Sequence, residues 1–297
     1  MTTSTMGSWV KGISTHGNVR AVGIEARGLV QYISELHRLN PECTRALGEA
    51  TLGALLIASY CKQGERVNLN IQSQGRFAQT LVDAYPDGTV RGYLVERESG
   101  GLSEVGQGPW GNGLMSVLRT KGAEGQQPYI GTVPLVTGHL AKDLTYYWAQ
   151  SEQVPSAVGL SVVVDPVSGK VTEAGAFLIQ ALPGASDEEV RLIESHLKEL
   201  PQIEGLLAAD PNPVGLIAPL MQSSPFHVLE TRALSATCNC SWDRVRRALL
   251  LIGAQELRSI QETQGKAVIH CDFCAKEYVA DSAQLEALIQ ESSPTDS

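Results

Sequence analysis

Cys238-Asn239-Cys240 and Cys271-Asp272-Phe273-Cys274 place two close pairs of thiols near the end of the chain, separated by thirty residues. Four thiolates in two close pairs suit tetrahedral Zn2+, whose structural sites are typically closed by four Cys or by Cys with His. The expected metal ligands are therefore Cys238, Cys240, Cys271 and Cys274. His270 adjoins Cys271, and with four thiols at hand it belongs in an outer position or on the surface. The other two cysteines, Cys43 and Cys61, each stand alone in a helix-like stretch and read as small buried hydrophobes.

The C-x-C spacing adds redox chemistry to metal binding. Residues i and i+2 of an extended chain lie about 6.5 Å apart, near the upper limit a disulfide tolerates, so a bond between Cys238 and Cys240 is feasible but strained. Strained disulfides are the reducible, regulatory ones. Zinc keeps sulfurs as thiolates while tempering their reactivity, and oxidation would remove the ligands and eject the metal. Zinc binding in small peptides contributes on the order of 10 to 16 kcal/mol, whereas a core of this size rarely supplies more than about 3 to 5 kcal/mol. Loss of the metal should unfold the unit, and apolar surface released by unfolding binds other apolar surface.

The elements around the cysteines fit a small unit. Trp242 to Ile252 (WDRVRRALLLI) predicts a helix with Ser241 as N-cap and Gly253 as its stop. A short second helix around Glu256 to Ile260 and a strand at Ala267 to His270 lead to a knuckle at Cys271 and Cys274, followed by Glu277 to Ala280. Asp281 with Gln284 caps a closing helix carrying Leu285, Leu288 and Ile289. Residues 231–297 are thus expected as a zinc-binding domain with a polar tail.

From Trp9 to Leu182 the pattern alternates between strand and helix, predicting a mixed α/β core domain over residues 1–182. Glu42 to Tyr60 is long and apolar enough for a buried helix, with Gly64 beyond its end. Arg66 to Ser73 (RVNLNIQS) alternates apolar and polar residues with the period of a half-buried strand. Phe77 to Val82 and Thr89 to Val95 flank the turn Tyr85-Pro86-Asp87-Gly88, and Ala157 to Val164 and Val171 to Leu182 flank Asp165 to Lys170. Hairpins favour a largely antiparallel sheet, hence an α+β fold. Residues 183–230 read as a helical linker: Ser186 and Glu189 form a capping box, and Val190, Ile193, Leu197 and Leu200 make one apolar stripe. The stretch from Pro201 to Pro225 is rich in Pro and Gly yet still apolar, the mark of a segment that packs against something.

Composition narrows the function. With 23 Lys and Arg against 32 Asp and Glu, a net charge of -9 argues against a coat for phosphate backbones. No apolar run reaches the roughly 20 residues that span a bilayer, and the start MTTSTMGSWVKG lacks a signal-like stretch, so no membrane partner and a cytosolic location are expected. Gly106-Gln107-Gly108-Pro109-Trp110-Gly111 matches a dinucleotide pattern, but Pro109 interrupts it and the strand-like Leu114 to Arg119 comes next, so it reads as a loop. Gly169-Lys170 lacks the upstream glycine of a phosphate loop. Ser195 and Lys198 match S-x-x-K within an amphipathic helix whose polar face is solvated. Arg244, Arg246 and Arg247 are placed on the exposed side of their helix, near the zinc-thiolate centre. An adaptor of the zinc-knuckle type, binding nucleic acid or protein, is the alternative; a thiol oxidoreductase using Cys271 and Cys274 is a third reading, and its C-x-x-C would be expected to open a helix in a βαβ setting.

The cysteine pattern, the preceding α/β domain and the apolar linker together resemble the redox-regulated thirty-three-kilodalton heat-shock chaperonin family of bacteria, zinc-dependent holdases, over the whole chain. The resemblance implies a molecular chaperone rather than an enzyme: one Zn2+ on Cys238, Cys240, Cys271 and Cys274 in an inactive reduced state. It implies that oxidation, by hydrogen peroxide with heat or by hypochlorous acid, joins Cys238 with Cys240 and Cys271 with Cys274. The metal then leaves, the C-terminal domain and linker unfold, a homodimer forms, and unfolding client proteins are held without ATP. Clients pass later to ATP-dependent foldase chaperones. The linker would contribute client-binding surface, for which Val190, Ile193, Leu197 and Leu200 are the candidates.

Overall fold

The chain divides into two units, residues 1–237 and 238–297, and a computed structural model describes residues 6–97, 108–120, 128–199, 203–222 and 225–292. The first unit opens with the antiparallel strands β1 (Ser8–Ser14) and β2 (Val19–Glu25), followed by helices α1 (Arg27–His37) and α2 (Pro41–Ala58). Strands β3 (Arg66–Ser73), β4 (Phe77–Ala84), β5 (Thr89–Glu96), β6 (Gly113–Thr120) and β7 (Tyr129–Pro134) come next. Helix α3 (Leu140–Tyr147) runs into a π-helical turn, Trp148–Glu152, before the hairpin of β8 (Ser156–Val164) and β9 (Val171–Ala181). Helices α4 (Asp187–Glu199), α5 (Ile203–Ala209) and α6 (Pro213–Ile217) then lead to β10 (Phe226–Ala233) and the two-residue β11 (Ser235–Ala236).

Two sheets result, ordered β10-β1-β2-β9-β8 and β11-β5-β4-β3-β6-β7, antiparallel except where β11 meets β5. Helix α2 packs against strands of both. Asn40 starts it, its side chain accepting a hydrogen bond from the Cys43 N–H at 2.9 Å with Pro41 at the first helical position. Its Ala, Leu and Gly residues are buried on every side, which is why its sequence carries no polar stripe. The expected strands and buried helix all form, within two residues of their predicted ends. At the β4–β5 turn Gly88 adopts φ +89 and its N–H bonds the Tyr85 carbonyl at 3.1 Å, a conformation glycine takes without strain.

In the segment expected as a helical linker, the capping box forms as predicted: the Ser186 hydroxyl accepts from the Glu189 N–H and the Glu189 carboxylate from the Ser186 N–H. Helices α5 and α6 rest on the first sheet, where Gly175 lies against Leu207 and Gly23 against the Pro213 carbonyl. The segment ends, unexpectedly, in a strand: β10 pairs with β1 along its length. Val228 and Leu229 are both exposed there, so the alternation that marks a half-buried strand is missing.

The second unit contains α7 (Trp242–Ile252), α8 (Ala254–Gln264), the hairpin β12 (Ala267–His270) and β13 (Glu277–Ala280), and α9 (Ser282–Ser292). Ser241 caps α7 as expected, and Asp281 and Gln284 exchange the two hydrogen bonds of a capping box at the start of α9. Helix α8 is longer than the predicted Glu256 to Ile260: it continues until Gly265, at φ +71, bonds back to Gln261. Its buried residue is Leu257, so its polar flanks hid its length. The core is small, formed by Leu249, Leu257, Ala267, Ala280, Leu285, Leu288 and Ile289.

Candidate metal centre

Cys238 and Cys240 lie on the extended segment that enters α7, and Cys271 and Cys274 on the turn joining β12 to β13. That turn is built by its own backbone: the N–H groups of Cys274 and Ala275 both bond the Cys271 carbonyl, at 3.2 and 2.8 Å, and the Cys271 N–H bonds the Lys276 carbonyl at 3.0 Å. Ala275 closes it in the left-handed region at φ +55. The four sulfurs converge to within 4.8 Å of one another. Cys238 faces Cys271 at 3.7 Å and Cys240 faces Cys274 at 3.4 Å. Sulfurs bound tetrahedrally at about 2.3 Å from a zinc ion stand roughly 3.8 Å apart, so the donor set and its spacing fit such an ion.

Electrostatics favour a cation as well. Burial acts to raise the Cys240 pKa, but hydrogen bonds from the Tyr278 hydroxyl and the neighbouring thiols outweigh it and bring it down to about 7. Burial, reinforced by Cys240 and the other sulfurs, pushes Cys274 up to about 12, and burial raises Cys271. The first thiolate forms easily, and the next ones meet its charge. A divalent cation removes that conflict by accepting all four as thiolates.

Tyr278 is the participant that sequence reasoning missed. Its hydroxyl donates to Cys240 Sγ at 3.1 Å, a bond that raises its own pKa to about 12, and Lys276 Nζ lies 4.9 Å from its ring centroid. The available signal was the alternation of Glu277 to Ala280, which turns Tyr278 and Ala280 inward. His270 stays outside the cluster, 61% exposed, with Nε2 3.7 Å from Glu277. Arg244 and Arg247 are exposed as expected, and Arg246, also on the solvent side, binds Glu291 of α9 at 2.6 Å.

The remaining predicted residues lie in the first unit. Ile193 is buried against the first sheet, and Val190, Ile193 and Leu197 line a cavity of about 280 Å³ with Ala157 and Ile179; Leu200 lies outside the described residues. Ser195 and Lys198 are exposed on α4. Gly106 and Gln107 fall outside the described residues, and Gly111 leads into strand β6 rather than a helix. Burial pushes the Cys43 thiol up to about 12 and the Cys61 thiol up to about 11; Cys43 is buried in α2 as expected, whereas Cys61 lies half-buried beyond the end of that helix. Among the described residues no helix is long and apolar enough to cross a membrane.

An α+β unit of two sheets, followed by a small unit with four clustered thiols that could hold a metal ion, defines the class of protein. A sequence profile of the Hsp33 protein family matches residues 8–281. The chain is 37% identical to the 33 kDa chaperonin of Geobacter sulfurreducens, with 94% of this chain and 93% of that protein covered. It is 33% identical to the 33 kDa chaperonin of Geobacillus kaustophilus, covering 95% and 97%. The crystal structure of the 33 kDa chaperonin (heat shock protein 33 homolog) of Thermotoga maritima superposes with a TM-score of 0.85 at 31% identity, covering 96% of this chain and 98% of that one. The chain belongs to the Hsp33 family, which supports a chaperone role.

Proposed function

We propose that this protein is a redox-regulated, ATP-independent holdase that keeps thermally or oxidatively unfolding proteins from aggregating in the cytoplasm. In the resting state Cys238, Cys240, Cys271 and Cys274 hold one Zn2+, which supplies the charge that keeps all four sulfurs as thiolates. Oxidant takes two electrons from each pair: hydrogen peroxide accepts them with two protons and leaves as two waters, while an S–S bond forms between Cys238 and Cys240 and another between Cys271 and Cys274. Disulfide sulfurs no longer serve as ligands, and the core of residues 238–297 is too small to hold the fold alone.

Residues 231–297 then unfold, together with the metastable linker of residues 183–230. Val190, Ile193, Leu197 and Leu200 contribute to the apolar surface offered to clients. A homodimer of the oxidised chain holds them until reduction, when ATP-dependent foldases receive them. The activity is binding, not catalysis.

One observation carries this reading: four sulfurs within 4.8 Å of one another in a unit with a small apolar core. The test measures zinc content and client aggregation on one sample. Reduced protein should carry one zinc per chain and leave a heat-unfolding client to aggregate. Peroxide with mild heating should release the metal and suppress the aggregation. Release without suppression would refute the holdase, and salt-sensitive RNA binding by the reduced form would favour an adaptor.

A further inference from the structure

A second polar site lies entirely within the first unit and shares no residue with the cysteines. Between the two sheets is a cavity of about 250 Å³ whose polar wall is Arg20, Tyr60, Arg119, Trp148, Glu152 and Gln180. Arg20 on β2 and Gln180 on β9 come from one sheet, and Arg119 on β6 comes from the other. Tyr60 lies just beyond α2, and Trp148 and Glu152 are the ends of the π-helical turn. Such turns are rare and recur at functional sites. This one is closed by Gln153 in the left-handed region at φ +55, where a side chain is disfavoured unless its surroundings hold it.

Two acceptors of this wall, Gln180 Oε1 and Glu152 Oε1, are engaged. Gln180 is fully buried; its carbonyl accepts from Arg20 Nε at 2.8 Å and its amide donates to the Ser156 hydroxyl at 2.8 Å. Glu152 Oε1 accepts from both Arg119 Nη2 at 2.8 Å and the Tyr147 hydroxyl at 2.7 Å. Donors remain: among the described residues, Arg119 Nε and the Tyr60 hydroxyl are buried without a hydrogen-bond partner. Burial holds the Tyr60 pKa above its usual value, so the hydroxyl keeps its proton at neutral pH. The Arg20 guanidinium carbon lies 3.9 Å from the centroid of the Tyr60 ring. Two guanidinium groups and a single carboxylate line the site, leaving one positive charge in excess within it.

Surplus positive charge and spare buried donors are complementary to an anion rich in acceptor oxygens, the recognition for which arginine's planar fork is suited. The volume lies below the roughly 300 to 1,000 Å³ of pockets for drug-sized ligands. We infer that this cavity binds a small inorganic oxyanion of the phosphate class, held by Arg20, Arg119 and the Tyr60 hydroxyl, and that the bound anion braces the two sheets against each other. A ligand of the folded state alone also raises thermal stability by mass action.

The experiment is calorimetric titration of the full-length reduced protein with inorganic phosphate against chloride at matched ionic strength, with thermal melting in parallel. Saturable binding with a Kd of about 1 mM or tighter is expected, and the first unit's melting midpoint should rise with phosphate but not with chloride. Tyr60→Phe keeps the ring beneath Arg20 and should weaken binding by about tenfold, the effect of one hydrogen bond to a charged acceptor. Arg119→Gln should abolish binding; should it fail to fold, Tyr60→Phe and Arg20→Lys decide the matter. No saturable binding to the wild type would overturn the proposal, as would binding that all of these variants retain. A nucleoside monophosphate should bind more weakly than phosphate; tighter binding would overturn the assignment to a free anion.

Discussion

Helices α2 and α9 show how differently the two units are held. Along α2 nearly every side chain from Cys43 to Ala58 is buried, because the helix has a sheet on either side. Helix α9 buries Leu285, Leu288 and Ile289 and turns the rest of its surface to solvent. Apolar area removed from water contributes about 25 cal/mol per Å². The first unit accumulates this over two sheets and a central helix, whereas the second closes with seven buried apolar residues among those described. The second unit instead gathers four thiols, groups whose affinity for a metal depends on their redox state. Under the proposed function, the part of the first unit that precedes residue 183 is stabilised by burial that no change of oxidant reaches, and the second unit by ligands that an oxidant can remove.

The strongest test of that contrast is metal removal. A chelator should unfold residues 238–297 and leave α2 and the strands that precede residue 183 intact, since on the order of 10 kcal/mol of metal-linked stability is set against a core of about 3 to 5 kcal/mol. Hydrogen exchange reads both at once: amide protection in α7, α8 and α9 should vanish while that in α2 persists. Continued protection in α9 would break the comparison. The next test applies one substitution to each core. Leu55 and Leu285 are both fully buried, and Leu→Ala at either site should cost about 2 to 5 kcal/mol. Leu55→Ala should lower the first unit's melting midpoint while leaving it folded. Leu285→Ala removes as much as the second core supplies, so that unit should unfold at a lower chelator concentration; an unchanged chelator midpoint would show that its apolar core is larger in effect than its size implies.

How legible each part was depends on how local its cause is. The four cysteines could be read directly, because metal-ligand spacing sits within a few residues and the side-chain type names the chemistry. Strand β3 was equally plain, since burial of Val67, Leu69 and Ile71 matches their alternation. Strand β10 was not, because Val228 and Leu229 remain exposed and the strand exists through its pairing with β1. Tyr278 reaches Cys240 because the β12–β13 hairpin and the segment before α7 meet at the thiols, a closure that no single stretch encodes. The cavity of Arg20 and Arg119 is less local still, requiring both sheets to be in place.

Helices α5 and α6, packed on the first sheet, offer a smaller perturbation. A Cβ on Gly23 would overlap the Pro213 carbonyl oxygen, and one on Gly175 would stand 2.8 Å from a Leu207 methyl. Gly23→Ala should therefore push α6 off β2 at a cost of about 1 to 3 kcal/mol, the range for overpacking. Limited proteolysis around residues 210–217 should accelerate while the reduced protein keeps its metal. If both change together, α6 and the metal unit open as one cooperative element even in the reduced protein, and the metal would not be retained independently of α6.

Ala275 and Arg38 give the smallest expected effect, one position in each unit. Both are non-glycine residues in the left-handed region, at φ +55 and +52, where an L-residue costs roughly 1 to 2 kcal/mol. Glycine relieves that strain but loses more conformational freedom on folding, so each substitution should gain no more than about 1 kcal/mol. Ala275→Gly should raise the chelator concentration needed to unfold the second unit and leave the first unit's melting midpoint alone; Arg38→Gly should do the reverse. The gain at Ala275 should also vanish once the cysteines are oxidised, because a turn that no longer holds ligands has no native conformation to favour. A gain that persists after oxidation would mean that the turn stays folded without the metal, and the second unit would then be stabilised by its backbone more than by its thiols.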